Sequence, residues 1–228
     1  MKKICLAIIV IILILSGCQA IFSHYHPEPP EQIILRSVDE LEELELALES
    51  DNADKIANCL STLGISSEKE AQKFLDTLKT LPVANLMNGT ITLIMSERSS
   101  IIERDAKGNL YDTGRISEWF HITTTATDGS WVRVSYWISD NVNEEEIRKN
   151  LNISNNTLSS KPFVTEDKRI TVFSEVRQTH PTGNGKVITW VSKIDEMYAE
   201  INYFSENTDG ISTENMFSNA RISTGKLG

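Results

Sequence analysis

From residue 37 onward the chain divides by the period of its apolar positions. Val38, Leu41, Leu44 and Leu48 recur at helical steps with acidic residues between them, the pattern of one buried helix face. Ser37 and Glu40 have the spacing of a capping box, so the helix is expected to begin just after Ser37. Ser50-Asp51-Asn52 breaks the run, and Ile56, Ala57, Leu60 and Leu63 predict a second helix over Ala53–Leu63. Gly64 suits the left-handed backbone that closes such a helix. Ser67 and Glu70 form another capping box, followed by Ala71, Phe74, Leu75, Leu78 and Leu81 on one face, ending near Pro82. Leucines interleave the acids between 40 and 49, which therefore read as a solvated helix face and not as a cation site.

Past Asn88-Gly89 the period becomes two. Residues 90–95 and 100–104 predict strands, with a turn at 105–109. Residues 118–127 and 130–138 are rich in β-branched and aromatic residues, and Asp128-Gly129 between them predicts a two-residue hairpin turn. That register sets Phe120 opposite Trp137. Alternation then puts Trp119, His121, Thr123 and Thr125 on one face with Val132, Val134, Tyr136 and Ile138, the face expected to meet the helices. The other face would carry Phe120, Ile122, Thr124 and Ala126 with Trp131, Arg133, Ser135 and Trp137. Residues 141–151 predict a short inserted helix with three glutamates in its first turn. Residues 169–177, 186–194 and 197–204 complete the strands, while 205–228 are polar and carry no assignment. Helices segregated from strands predict a single α+β domain over 37–204. Its N-terminal short helices (37–86) would pack on a mostly antiparallel β-sheet (87–204) with the short inserted helix.

The start of the chain has a different character. Lys2 and Lys3 precede twelve unbroken apolar residues, 4–15, and then Leu15-Ser16-Gly17-Cys18. Twelve helical residues span roughly 18 Å against the ~30 Å of a hydrocarbon core, so a secretory signal fits better than a transmembrane anchor. Leu-Ser-Gly-Cys resembles the lipobox of bacterial lipoproteins. The resemblance covers residues 1–18 alone, and a plain secretory signal is the bland alternative. It implies a signal peptide over 1–17, cleavage before Cys18 and thioether lipidation of Cys18. Residues 18–36 would then be the lipidated Cys and a tether, because His24-Tyr25-His26-Pro27-Glu28-Pro29-Pro30-Glu31 favours extended backbone. At ~3.1 Å per residue such a tether reaches up to roughly 55 Å. His24 and His26 alone on a flexible segment make a poor metal site.

Charge narrows the partners. The chain holds 22 Lys and Arg against 32 Asp and Glu, a net charge of −10. Removing residues 1–17 takes away two lysines and leaves −12. This balance argues against nucleic acid, and against anionic lipid held by a broad basic surface. Membrane attachment should come from the acyl chains, of which two or more give a stable anchor. Cys5 leaves with the signal and Cys18 is consumed, so Cys59 has no partner for an internal disulfide and reads as a buried small hydrophobe. No His or Cys pair has structural-zinc spacing, and no cofactor or metal is expected.

Two motif matches concern catalysis. Ser66-Ser67-Glu68-Lys69 fits Ser-x-x-Lys and Ser139-Asp140-Asn141 spells Ser-Asp-Asn, two signatures of active-site serine penicillin-binding proteins and β-lactamases. The third, Lys-Thr-Gly, appears only in the wrong order as Thr224-Gly225-Lys226, and helix capping accounts for the other two. His121 and His180 are the only histidines past the tether, and nothing in the sequence marks a nucleophile beside either. Three Asn-x-Ser/Thr matches, at Asn88, Asn152 and Asn155, read as turn chemistry. The expected function is a lipid-anchored extracytoplasmic binding or protein-interaction module on the cell membrane. The alternatives are a cell-envelope hydrolase assembled from scattered residues, and a chaperone-like or inhibitory partner of an envelope protein. Phe120, Trp131, Arg133 and Trp137 are the expected binding residues for an envelope protein or glycan, since Trp and Arg favour hot spots. A second buried layer is the competing explanation of that face.

Overall fold

Each capping signal starts a helix. In a computed structural model that describes residues 31–138, 162–180 and 183–227, Ser37 is extended and accepts the Glu40 N–H at 3.2 Å, opening α1 (Val38–Leu48). Asn52 caps α2 (Ala53–Leu63) through the Lys55 N–H, and the helix closes on Gly64 at φ 69°. Ser67 accepts the Glu70 N–H at 3.3 Å and opens α3 (Glu68–Thr80). Leu41, Leu44, Ala47, Ala71, Phe74, Leu75 and Leu78 are the buried positions of α1 and α3, as the helical period requires. Most of the tether, the lipobox, residues 141–151 and the Ser-Asp-Asn match lie outside the described residues.

The fold is dominated by a mostly antiparallel sheet. Its strands are β1 (Glu31–Leu35), β3 (Thr90–Arg104), β4 (Leu110–Thr125), β5 (Trp131–Trp137), β6 (Phe163–Val164), β7 (Ile170–Thr179), β8 (Lys186–Ile194) and β9 (Met197–Ser205). The spatial order is β1-β3-β4-β5-β9-β8-β7-β6. A second sheet pairs β2 (Pro82–Asn85) with β10 (Arg221–Thr224). Asp195, at φ 50°, and Glu196 make the tight turn from β8 to β9, where Ile194 pairs with Met197.

Several boundaries differ from the sequence expectation. The far end of the expected tether is strand β1, whose Leu35 sits opposite Ile94 with both side chains fully buried. The expected polar tail contains α4 (Thr213–Phe217) and β10. Met216 and Phe217 are buried there, with the Phe217 ring set edge-on to Trp190 at 5.4 Å. The Trp190 Nε1–H donates to Glu175 and to Thr213, tying α4 to β7 and β8. Burial raises the Glu175 pKa, but hydrogen bonds from Thr213, Arg177 and Trp190 outweigh it and hold the group below its usual value. Residues 90–95 and 100–104 are one continuous strand, and β4 starts at Leu110, well before residue 118.

Two units can be separated along the chain, and residues 100–115, the ends of β3 and β4 with their turn, belong to the smaller. It is held by its own bonds. Asp105 accepts the Lys107 and Asn109 N–H groups, the Tyr111 hydroxyl donates to Glu103, and Arg115 pairs with Glu103.

The decisive correction concerns the β4–β5 hairpin. The Ala126 N–H donates to the Ser130 carbonyl at 2.8 Å and the Gly129 N–H donates to the Ala126 carbonyl at 3.1 Å. Gly129 has φ 83° and Asp128 is not left-handed. The loop therefore has three residues, 127–129, a turn followed by a left-handed glycine bulge, instead of the expected two. Trp119 pairs with Trp137 and Phe120 with Tyr136. A slip of one residue moves every β5 side chain to the opposite face relative to β4.

The helix-covered face consequently holds Phe120, Ile122, Val132, Val134 and Tyr136, all 5% exposed or less. Phe74 of α3 meets Phe120 at 5.0 Å between ring centres. The Tyr136 hydroxyl donates to the Pro82 carbonyl at 2.6 Å and accepts the Ala84 N–H at 3.3 Å, so this buried polar atom is satisfied by β2. Burial pushes its pKa up. The layer continues through Ala199, Ile201, Ile188, Trp190, Ile194, Ile170 and Val172.

Candidate functional site

Alternation on the same strands assembles a second face. β4 contributes Trp119, His121 and Thr123, and β5 contributes Trp131, Arg133, Ser135 and Trp137. From β9 come Glu200, Asn202 and Phe204, because Ser135, Arg133 and Trp131 pair with them in that order. β8 adds Thr189, opposite Asn202.

Two polar rows cross the strands. In one, the Arg133 Nε–H donates to the Thr123 hydroxyl at 3.1 Å, and the Thr189 hydroxyl donates to Asn202 Oδ1 at 2.7 Å. Asn202 Nδ2 in turn donates to Glu200 Oε1 at 2.8 Å. In the other, His121 Nδ1 lies 2.8 Å from Ser135 Oγ, and His121 Nε2 lies 3.7 Å from Glu97 Oε1. Aromatic rings flank the rows. Trp119 meets Trp137 edge-on at 4.6 Å and lies parallel to His121 at 6.1 Å. Trp131 stacks on Phe204 at 5.7 Å, with His180 against the same Phe204 ring at 4.9 Å. The Arg133 guanidinium sits over Trp131 at 5.8 Å.

The four expected binding residues are thus divided. Phe120 is withdrawn from the site, because the true register turns it into the core at 0% exposure. Trp131 and Arg133 remain together, both half-buried. Trp137 shares their face but is buried. Trp119, His121 and Thr123, expected beneath the helices, belong to this face instead, and Glu200 and Asn202 join it through the β5–β9 pairing. Cys18 lies outside the described residues.

Burial lowers the His121 pKa to about 4, and the charge of Arg133 pushes the same way. The ring is therefore neutral at pH 7, and Nδ1 can accept the Ser135 proton only as the Nε2–H tautomer. His121 Nε2 and Trp137 Nε1 are both buried without a hydrogen-bond partner among the described residues. Ser135, His121 and Glu97 form the row that hydrolysis would require, yet catalysis also needs donors aimed at a developing oxyanion. The β4 and β9 ladders run along both sides of β5 at Ser135 and occupy its backbone amides. A base with a pKa near 4 also has little drive to take a serine proton at neutral pH.

Other candidate groups resolve simply. The Ser66 hydroxyl bonds Glu70, and Ser67 is the cap of α3, so Ser-x-x-Lys makes no serine–lysine contact. Cys59 is buried, with its thiol pKa raised by burial and by the charge of Glu43. Among the described residues no cluster of three or more His, Cys, Asp or Glu side chains could hold a metal ion. No helix among them is long and apolar enough to cross a membrane. Comparison with protein-family models, curated proteins and solved structures finds no match to this chain.

Proposed function

We propose that the chain is a lipid-anchored, extracytoplasmic binding module of the cell membrane. Its outer sheet face, centred on Trp131 and Arg133, would hold a protein or glycan of the envelope. Leu15-Ser16-Gly17-Cys18 supports the anchor. One observation carries the binding site. Arg133 is held in place by Trp131 and Thr123, and its terminal Nη groups make no hydrogen bond among the described residues. A guanidinium fixed on an aromatic plane with donors to spare is pre-organised for a planar acceptor or a ring face. Asn202, Glu200 and Thr189 beside it supply both donors and acceptors.

Affinity capture from detergent-solubilised envelopes tests the site. Wild type should retain a discrete protein or glycan that Trp131→Ala and Arg133→Ala lose at unchanged melting temperature. Retention of the same species by both variants would remove this face from the function. For the anchor, Cys18→Ala should shift the protein from membrane to soluble fractions or stall its precursor. An unlipidated mature N-terminus found elsewhere by mass would end the lipoprotein reading.

A further inference from the structure

The polar rows of the outer face carry an uneven set of charges. Thr123, Arg133, Asn202 and Thr189 stand side by side in one row, and His121, Ser135 and Glu200 in the next. Neighbours within a row are one strand spacing apart, ~4.8 Å. With His121 neutral, the two rows hold one cation, Arg133, and one anion, Glu200. They are diagonal neighbours on β5 and β9, yet they form no ion pair with each other. Thr123 and Trp131 hold the guanidinium, and Asn202 holds the carboxylate. Further along the face, Lys193 pairs with Glu196 at 2.8 Å, and Glu97 lies 3.7 Å from His121 Nε2.

The hydrogen-bonding capacity left over selects a ligand class. Arg133 keeps both Nη groups, Asn202 keeps one Nδ2 hydrogen and Glu200 keeps Oε2, none of them bonded among the described residues. A carboxylate or phosphate suits Arg133 but is repelled by Glu200, and an ammonium meets the reverse. A zwitterion pairs with both charges, but exposed ion pairs contribute little, and it leaves Asn202 and the neighbouring aromatic row unused. A hydroxyl both donates and accepts, so two adjacent hydroxyls satisfy the guanidinium, the amide and the carboxylate together. Trp131 and Phe204, one row further along β5 and β9, add half-buried aromatic carbon. A pyranose presents the matching pair of surfaces, a hydroxyl edge and a C–H face. One strand spacing is also close to the length of one such unit, so successive sugars keep step with successive strands.

We infer that the outer face takes a neutral linear oligosaccharide lying across β5, β9 and β8, its adjacent hydroxyls shared between Arg133, Asn202 and Glu200. The inference rests on this face being the binding face, and it names the chemical class bound there. The Thr189 hydroxyl, which donates to Asn202 Oδ1 at 2.7 Å, sets the amide so that its Nδ2 side meets Glu200 and the ligand.

Calorimetric titration of the full chain, in a detergent without a sugar headgroup, tests this. The probes are neutral tetrasaccharides of β-1,4-linked glucose and of β-1,4-linked N-acetylglucosamine, a uronic-acid tetrasaccharide and glycylglycine. Saturable binding of a neutral tetrasaccharide is expected, about tenfold tighter than the uronic acid. Glu200→Gln keeps an acceptor for Asn202 and removes the charge. It should weaken the neutral sugar and strengthen the uronic acid, closing that tenfold gap at unchanged melting temperature. Failure of both neutral sugars to saturate, uronic-acid binding equal to neutral in the wild type, or saturation by glycylglycine alone would each overturn the inference. Envelope capture that still depends on Trp131 and Arg133 while no neutral sugar binds would leave the face its function and remove only the glycan.

Discussion

The two faces of the β4–β5 hairpin alternate along the same fourteen paired positions, and burial alone barely separates them. Phe120, Ile122, Val132, Val134 and Tyr136 are buried under the helices, but His121, Thr123, Ser135 and Trp137 on the other side are buried as well. What differs is how polar atoms are satisfied. On the helix-covered face the fully buried Tyr136 hydroxyl makes both of its hydrogen bonds within the fold. The outer face carries a charged guanidinium, two polar rows and two ring nitrogens without a hydrogen-bond partner among the described residues. Buried polar groups cost free energy unless paired, so a layer with spare donors is a poor core.

The comparison breaks most visibly at Phe120. Truncation to Ala should cost ~3–5 kcal/mol, measured by urea denaturation, because transfer and cavity terms add in a packed layer. A loss below ~1 kcal/mol would mean that the faces are misassigned. The next largest effect is acid sensitivity at His121. Its folded pKa of about 4 lies below the unfolded value near 6.5, so below pH 6.5 the unfolded chain binds a proton that the folded chain refuses. Its contribution is complete above pH 6.5 and is lost as pH falls toward 4, by up to ~3 kcal/mol. His121→Gln should flatten that limb of the stability–pH curve. An unchanged limb would place the ring in water.

The loop sharpens the register. Gly129→Val puts a β-branched residue at φ 83° and should cost ~1–2 kcal/mol. Asp128→Val carries no such strain and loses only the bonds from the Ser130 N–H and hydroxyl, about 1 kcal/mol. Equal strain at both positions would restore a two-residue turn. Smallest of all, Arg133→Ala should change stability by less than ~1 kcal/mol, since it gives up one neutral acceptor and one half-exposed cation–π contact. A larger loss would make the guanidinium a structural element.

Helix starts were legible because capping is local chemistry, visible as Ser37 with Glu40 and Ser67 with Glu70. The hairpin register was legible too, by a test that turn chemistry obscured. Pairing across a two-residue loop mixes Trp131 and Arg133 with Phe120 and Ile122, whereas one further loop residue gathers Phe120, Ile122, Val132, Val134 and Tyr136 on one side. Segregation of apolar from polar residues outweighs a dipeptide signal that serves both loop lengths. Strand β1 hid behind prolines with only Ile33-Ile34-Leu35 to mark it, and α4 shows just Met216 and Phe217. Of the site, Trp131 and Arg133 could be named from sequence. Glu200 and Asn202 could not, because β9 reaches β5 only through the topology of the sheet.

Alternating substitutions along β5 test the central claim most directly. Val132→Ala and Val134→Ala point into the core, and Trp131→Ala and Arg133→Ala point out of it. Melting temperature and envelope capture, measured on all four at a temperature where each is folded, should split by parity. The even positions should lose stability and keep the captured species, and the odd positions should keep stability and lose it. Capture that survives at 131 and 133, or fails at 132 and 134 while the fold persists, would contradict the assignment of the outer face to recognition.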